Sequence, residues 1–245
     1  MRRATLTLFN ATLLLAGLLS ACSPPAANPA PPQPPPARNG FPLPDRPVAS
    51  VVSTSWSSQP NRDAADESGQ LIRGLGIRPG MAVADIGAGS GYHSLRLSPA
   101  VGPRGVVYAE DIVASYLSGL RREARGRGLA NIRIVVGAAD DPKLARGSID
   151  RAVMVHMYHE IASPYGLLWR LAPALRRGGQ VGVIDVDRPS AEHGMSPALL
   201  RCEFEAVGYR HVATHTLEGG VGYLAIFEPP LNRPKPAAIQ PCKAP

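Results

Sequence analysis

Five short apolar runs alternate with helical patterns along the middle of this 245-residue chain, and this alternation most limits the folds open to it. Each run has about five to seven residues and is rich in β-branched or other apolar side chains, which is typical of buried parallel strands. The runs cover residues 81–86, 105–109, 132–136, 149–155 and 180–184, with helical patterns at 63–75, 91–97, 113–125 and 165–175. The repeated strand–helix–strand order predicts a doubly wound, Rossmann-like α/β fold.

Two further runs close the folded region. Residues 209–216 and 222–227 follow a helical pattern at 197–207 and flank Gly219-Gly220. Paired glycines between two strand patterns predict a β-hairpin. The expected domain therefore spans residues 48–228 and contains a seven-stranded sheet that ends in a C-terminal β-hairpin.

The N-terminus has the pattern of an export signal. Arg2 and Arg3 precede an apolar run of 14 residues, which is shorter than the roughly 17–25 residues of a membrane-spanning helix. The run ends in Leu-Ser-Ala-Cys, which resembles the bacterial lipobox and implies cleavage after residue 21 and lipidation of Cys22. The alternative is an uncleaved anchor, which would also export the domain. Both readings predict a membrane-anchored protein on the periplasmic side of the cell envelope.

Proline dominates both flanks of the predicted domain. Eleven of residues 23–47 and six of residues 229–245 are Pro, so we expect segment 22–47 to be an extended or disordered linker and 229–245 a disordered tail. Cys202 and Cys242 could pair in an oxidising compartment or remain free thiols. The flanks also carry most of the net charge of +7, because residues 48–228 hold 19 Lys and Arg and 18 Asp and Glu. This balance gives no reason to expect a nucleic-acid partner.

A glycine-rich loop supplies the main functional signal. The segment VADIGAGSGY, residues 83–92, carries a strand through Asp85 into the closely spaced Gly87, Gly89 and Gly91 at the start of a helix. Such a loop lets backbone N–H groups approach a ligand. Its third glycine comes one residue earlier than in dinucleotide-binding loops, which disfavours a nicotinamide-dependent oxidoreductase. The next strand ends in Glu110-Asp111, where a carboxylate can accept ribose hydroxyls.

These residues resemble the class I S-adenosylmethionine-dependent methyltransferases over about residues 62–227. The resemblance implies S-adenosylmethionine as cofactor, with the three glycines around its methionine portion, Asp85 at its ammonium group and Asp111 at its ribose. Glu110 is the competing ribose acid. Many relatives have an acid at the position of Ala138, which contacts the adenine amine, and Asp140 either replaces that acid or is a solvated turn carboxylate.

The methyl acceptor is expected beyond the ends of the fourth and fifth strands, where open parallel sheets bind ligands. His159 is the candidate base because histidine titrates near neutral pH, and Tyr158 is expected to shape the pocket. The alternative is that His159 is a structural residue that forms hydrogen bonds at the end of the strand. Metal-assisted transfer would use Asp185, Asp187, His159 and His193, but no fixed spacing supports it and no metal site is assigned.

Two classes of function therefore remain open. The first is an exported, membrane-anchored methyltransferase that acts on a small-molecule or envelope acceptor. The second is a non-catalytic lipoprotein that binds another nucleoside-like ligand in the same pocket. The second stays open because S-adenosylmethionine is made in the cytoplasm. Neither the acceptor nor the oligomeric state follows from the sequence.

Overall fold

The computed structural model describes residues 40–51 and 59–243. The predicted signal peptide, Cys22 and most of the linker lie outside these residues. None of the helices described is long and apolar enough to cross a membrane.

The strands form one seven-stranded sheet in the order β3-β2-β1-β4-β5-β7-β6. The first five strands are parallel, and β7 runs antiparallel to both β5 and β6. Their bounds are β1 Ala82–Ile86, β2 Val106–Asp111, β3 Ile132–Val136, β4 Ile149–Val155, β5 Leu175–Asp185, β6 Arg210–Thr216 and β7 Tyr223–Glu228. The predicted doubly wound α/β fold with a terminal hairpin is confirmed.

The six α-helices of the described residues are α1 Gln59–Ala64, α2 Glu67–Gly74, α3 Tyr92–Val101, α4 Ala114–Gly126, α5 Pro164–Leu171 and α6 Pro197–Ala206. Short 3-10 turns at Tyr158–Glu160 and Ser190–Glu192 follow β4 and β5. The helix predicted over 63–75 is interrupted, because Asp66 adopts a left-handed conformation with φ of 48° between α1 and α2.

The core lies on both faces of the sheet because neighbouring strand residues point to opposite sides. On one face, Ala84 and Met154 join a cluster that includes residues of α5 and α6. On the other, Val83 and Val153 pack with residues of α2 and α3. Burial of both faces explains why the parallel strands read as continuous apolar runs.

The described part of the predicted linker is not extended into solvent. We call residues 40–51 the N-terminal strap. Arg46 of the strap is buried, and its Nε lies 2.8 Å from Oε1 of Glu203, with both side chains fully buried. Arg46 Nη1 and the backbone N–H of Ala49 both donate to the carbonyl of His159, over 3.2 and 3.1 Å. One buried ion pair and these backbone contacts hold a segment that its proline content alone would leave free.

The C-terminal segment also differs from the predicted disordered tail. Cys242 forms a disulfide with Cys202 of α6, which decides between the two alternatives for these cysteines. The Cys242 N–H donates to the hydroxyl of Tyr165, and Trp169 Nε1 donates to the carbonyl of Pro234 over 2.8 Å. Proline lacks an N–H but keeps its carbonyl, so a proline-rich segment can still be fixed by donors from the domain.

Candidate active site

A cavity of about 410 Å³ opens at the carboxyl ends of the parallel strands. Strands β1, β2, β4 and β5 all end around it, and the loops that follow them supply its walls. This edge is where open parallel sheets bind ligands, because strand order changes direction there. The sheet order places the change between β1 and β4.

The glycine loop forms one wall of the cavity. Gly87, Gly89 and Gly91 have φ values of 69°, 54° and 90°, which side chains other than glycine rarely adopt. A Cβ atom on Gly87 would lie 2.7 Å from the side chain of Met157, and one on Gly91 would lie 2.2 Å from Leu120. Gly87 and Gly91 are therefore needed both for backbone conformation and for close packing, and Gly89 is needed for backbone conformation.

The two predicted cofactor acids reach the same cavity. Asp85, at the end of β1, is 3% exposed and accepts a hydrogen bond from Ser94 Oγ over 2.6 Å. Burial, only partly offset by the Ser94 hydrogen bond, raises the pKa of Asp85 to about 6. Asp111 accepts from the backbone N–H groups of Gly89 and Val113, each over 2.8 Å, and burial raises its pKa despite these bonds.

Glu110 also lines the cavity, and its pKa is raised further than that of an ordinary glutamate. Its side chain is 2% exposed, and burial together with the charge of Asp111 raises its pKa well above the usual value for a glutamate. Both acids accept a backbone hydrogen bond from the glycine loop, Asp111 from Gly89 and Glu110 from Gly87, and Asp111 is the more exposed of the two. The role of Asp111 as the ribose acid remains a prediction.

The third predicted cofactor contact is not brought to the cavity. Among the described residues, Ala138 and Ala139 line the wall after β3, whereas Asp140 is not part of the lining. The carboxylate of Asp140 pairs with Arg170 Nη1 over 2.8 Å. The ion pair with α5 turns this acid toward the helix and gives it a structural partner.

On the opposite side, His159 combines with Asp185. Nδ1 of His159 lies 2.9 and 3.1 Å from the two carboxylate oxygens of Asp185, and both side chains are buried. Because a carboxylate only accepts, Nδ1 carries the hydrogen and Nε2 is left as the basic nitrogen. Tyr158 does not shape this cavity as predicted. Its ring is fully buried in the core, 5.5 Å from that of Phe204.

The sequence pattern gave no signal for a buried charge cluster beside the glycine loop. Glu67, fully buried on α2, lies 2.5 Å from Arg62, 2.9 Å from His93 and 3.1 Å from His156. Burial acts to raise the pKa of Glu67, but hydrogen bonds from the two histidines and the charge of Arg62 keep it far below its usual value. Burial lowers the pKa of His93 to about 4. The cluster thus holds an ionised carboxylate against arginine and neutral imidazoles.

Residues 83–179 match a family described as a methyltransferase domain. The matched segment covers 97 of the chain's 245 residues. The chain is 32% identical to the aklanonic acid methyltransferase DauC from a Streptomyces species over 102 residues. These residues cover 42% of this chain and 46% of that protein. The chain spans about half the length of the curated relatives it matches.

Solved structures share the fold of the domain. A SAM-dependent methyltransferase from Aquifex aeolicus superposes with a TM-score of 0.63 at 22% identity, over 69% of this chain and 91% of that one. A "possible exported protein" from Bordetella parapertussis gives 0.55 at 17% identity, over 69% and 68%. The predicted class I methyltransferase fold is confirmed, and the matched domain supports S-adenosylmethionine as its cofactor.

Proposed function

We propose that this protein is an exported S-adenosylmethionine-dependent methyltransferase, anchored to the membrane through a lipid on Cys22, that acts on a small-molecule or envelope acceptor. The observation that carries the proposal is that one cavity joins the glycine loop, with Asp85 and Asp111, to the His159–Asp185 pair. A cofactor site and a proton-accepting group therefore share one cavity, as methyl transfer to an ionisable acceptor requires.

The cavity residues fit the proposed cofactor in shape and charge. The glycine loop lets the backbone approach a ligand closely, and a carboxylate at each of two strand ends suits a cationic amino group and a pair of hydroxyls. When bound, S-adenosylmethionine supplies the methyl group. Asp85 would hold the ammonium, Asp111 the ribose, and the uncharged wall at Ala138 would lie against the adenine.

His159 is the proposed proton acceptor. Its Nε2 would take the proton of an O–H or N–H acceptor, while Asp185 holds the ring in one orientation and stabilises the positive charge that the ring gains. The displacement moves the acceptor's electron pair to the methyl carbon. The acceptor must lose its proton for this pair to be available, which is the contribution of His159.

Two observations support the proposed location outside the cytoplasm. The Cys202–Cys242 disulfide is of the kind that persists in oxidising compartments. The fold is shared with the Bordetella "possible exported protein". Mass spectrometry of the membrane-fraction protein tests the anchor. A diacylglycerol on Cys22 as the first residue is the expected result, and an unmodified or intact N-terminus would contradict it.

Calorimetric titration of the full chain with S-adenosylmethionine and S-adenosylhomocysteine tests the cofactor. We expect both to bind. No binding at millimolar ligand would overturn the enzyme proposal. Release of S-adenosylhomocysteine on addition of envelope extract then tests catalysis, and binding without any release would favour the alternative of a non-catalytic binding lipoprotein.

A further inference from the structure

Three metal-ligating side chains converge at one end of the cavity. His159, Glu160 and His193 all line it, and one donor atom from each lies within 4.8 Å of the donors of the other two. They come from two separate loops, since His159 and Glu160 belong to the turn after β4 whereas His193 follows the turn after β5. The fold therefore brings together three metal-ligating side chains that no local spacing in the sequence predicts.

The hydrogen bond between His159 and Asp185 orients one of these donors. Because Nδ1 is engaged by the buried carboxylate, Nε2 is the nitrogen that can bind an ion. Metal-binding histidines in proteins characteristically donate their second ring nitrogen to a carboxylate in this way, which fixes the ring and makes the ligand nitrogen more basic. The same pair that suits a base also suits a metal ligand.

His193 provides an independent observation. Its Nδ1 is buried and has no hydrogen-bond partner among the described residues, and the nearest oxygen of Glu160 is 3.9 Å away, beyond hydrogen-bond distance. The residue also has φ of 57°, a left-handed conformation that is uncommon outside glycine. A buried nitrogen without a partner costs free energy, which a bound ligand would recover.

We propose that His159 Nε2, His193 Nδ1 and a Glu160 carboxylate oxygen bind one divalent transition-metal ion, with zinc as the best match. Two imidazoles and one carboxylate are a common ligand set of catalytic zinc, which leaves a further position open toward the substrate. Bonds of about 2.0–2.2 Å place tetrahedral ligands about 3.4 Å apart, so the present separations, all within 4.8 Å, need to shorten by up to about 1.4 Å. Asp185 is a positioning residue for this site.

The metal site rests on the proposed function and changes the part played by His159. An acceptor O–H or S–H bound at the open position would lose its proton to solvent, because the cation stabilises the resulting anion. The anion's electron pair then forms the new bond to the methyl carbon. The carbon–sulfur bond of the cofactor breaks, its electron pair stays on sulfur, and neutral S-adenosylhomocysteine leaves. In the metal-loaded protein His159 would be a ligand and not the proton acceptor, and the ion would promote ionisation of the acceptor in place of a base.

Titration of the chelator-treated full chain with ZnCl2 by calorimetry tests the site directly. We expect one tight site, weakened at least about tenfold in Glu160→Gln and in His193→Ala, and by about 10–100-fold in Asp185→Asn. Cobalt(II) added in place of zinc should give visible absorption bands typical of tetrahedral or five-coordinate nitrogen and oxygen ligands. His215→Ala is the matched control, because this histidine is exposed on β6 and should leave the site intact.

S-adenosylmethionine binding, measured on the same variants, separates this inference from the proposed function. Retained cofactor binding in Glu160→Gln and His193→Ala would show that the variants are folded and that the cofactor site is independent. The metal site would be overturned if the wild type did not bind zinc, or if the zinc affinity of both ligand variants equalled that of the wild type. Loss of cofactor binding in the wild type would instead overturn the methyltransferase proposal.

Discussion

The two sides of the cavity are held in place by different means. The cofactor side, comprising Asp85–Gly91 with Glu110 and Asp111, is built from neighbouring residues, and its loop is tied to the adjacent strand end by the Gly89–Asp111 hydrogen bond. The acceptor side, comprising His156–Glu160 with Asp185 and His193, depends on distant contacts. The N-terminal strap donates two hydrogen bonds to the carbonyl of His159 from 113 and 110 residues away.

This difference predicts separable effects of mutation. Changes on the cofactor side should alter affinity for S-adenosylmethionine, because the groups there are proposed to contact the cofactor and not the acceptor. Changes on the acceptor side or in its distant supports should alter turnover or stability and leave cofactor affinity nearly unchanged. The following variants test that separation.

The largest expected effect is on turnover in His159→Ala. As base or as metal ligand, His159 contributes to removal of the acceptor proton, and loss of such a group lowers kcat by about 10²–10⁴-fold. The affinity for S-adenosylmethionine should stay within about threefold. Steady-state release of S-adenosylhomocysteine and calorimetry measure the two quantities. A fall in cofactor affinity with unchanged kcat would show that the two sides are not separable.

The next effect concerns the support of the acceptor side. Glu203→Ala leaves the buried Arg46 guanidinium without its carboxylate, and breaking a buried ion pair costs about 3–5 kcal/mol in free energy of unfolding. Glu205→Ala on the same helix is the matched control. Its partner Arg201 and Glu205 itself are both exposed, so we expect a change below about 1 kcal/mol. Urea unfolding followed by circular dichroism checks both, and equal losses would contradict the role of the strap.

A smaller effect separates the two neighbouring acids of β2. Asp111→Asn should weaken S-adenosylmethionine binding by about 10–100-fold, because charge-assisted hydrogen bonds are each worth about 1.5–3 kcal/mol. Glu110→Gln should change affinity by less than about threefold, since burial and the charge of Asp111 raise the pKa of this carboxyl and favour its neutral form, which glutamine resembles. The reverse order, measured by calorimetry, would assign the ribose to Glu110.

The sequence predicts most of the sheet and the cofactor side because both follow from local patterns. Apolar runs locate the strands. Strand β5 begins at Leu175, whereas the pattern predicts a start at residue 180, because Arg and Gly at residues 176–179 interrupt the apolar run. The glycine loop and its acids lie in two short segments. A local pattern contains no information on the contact between Glu67 and His156, which are 89 residues apart.

The same limit explains the errors at the two flanks. Proline content predicts the absence of regular structure, and the strap and tail do lack long helices and strands. It does not predict the absence of fixed contacts, because one buried arginine or one disulfide is enough to hold an irregular segment. Asp140 is a related case. The sequence predicts that Asp140 lies near the usual adenine contact. Its ion pair with Arg170 of α5 depends on how the chain folds and is not visible in the local sequence.

The smallest expected effect is a pH dependence confined to the cofactor side. In the free protein the pKa of Asp85 is raised to about 6, chiefly by burial, while Ser94 and Arg62 act to lower it and the charge of Asp111 to raise it. An ammonium group binds the ionised carboxylate, so affinity for S-adenosylmethionine should rise as pH increases through 6. Between pH 5 and 7 the expected gain is about tenfold, if pairing lowers the bound-state pKa by a few units.

Asp85→Asn removes the titrating group and should flatten this profile while weakening binding at pH 7. The profile of Glu110→Gln should keep its slope, because the slope is assigned to Asp85 and the pKa of Glu110 is raised well above its usual value. Calorimetry at several pH values, in buffers of different ionisation enthalpy, also counts the protons released on binding. Proton release below pH 6 that disappears in Asp85→Asn would assign the ammonium contact. An unchanged slope in that variant would contradict the Asp85 assignment and make Asp111 the next candidate for the ammonium contact, because burial raises its pKa as well.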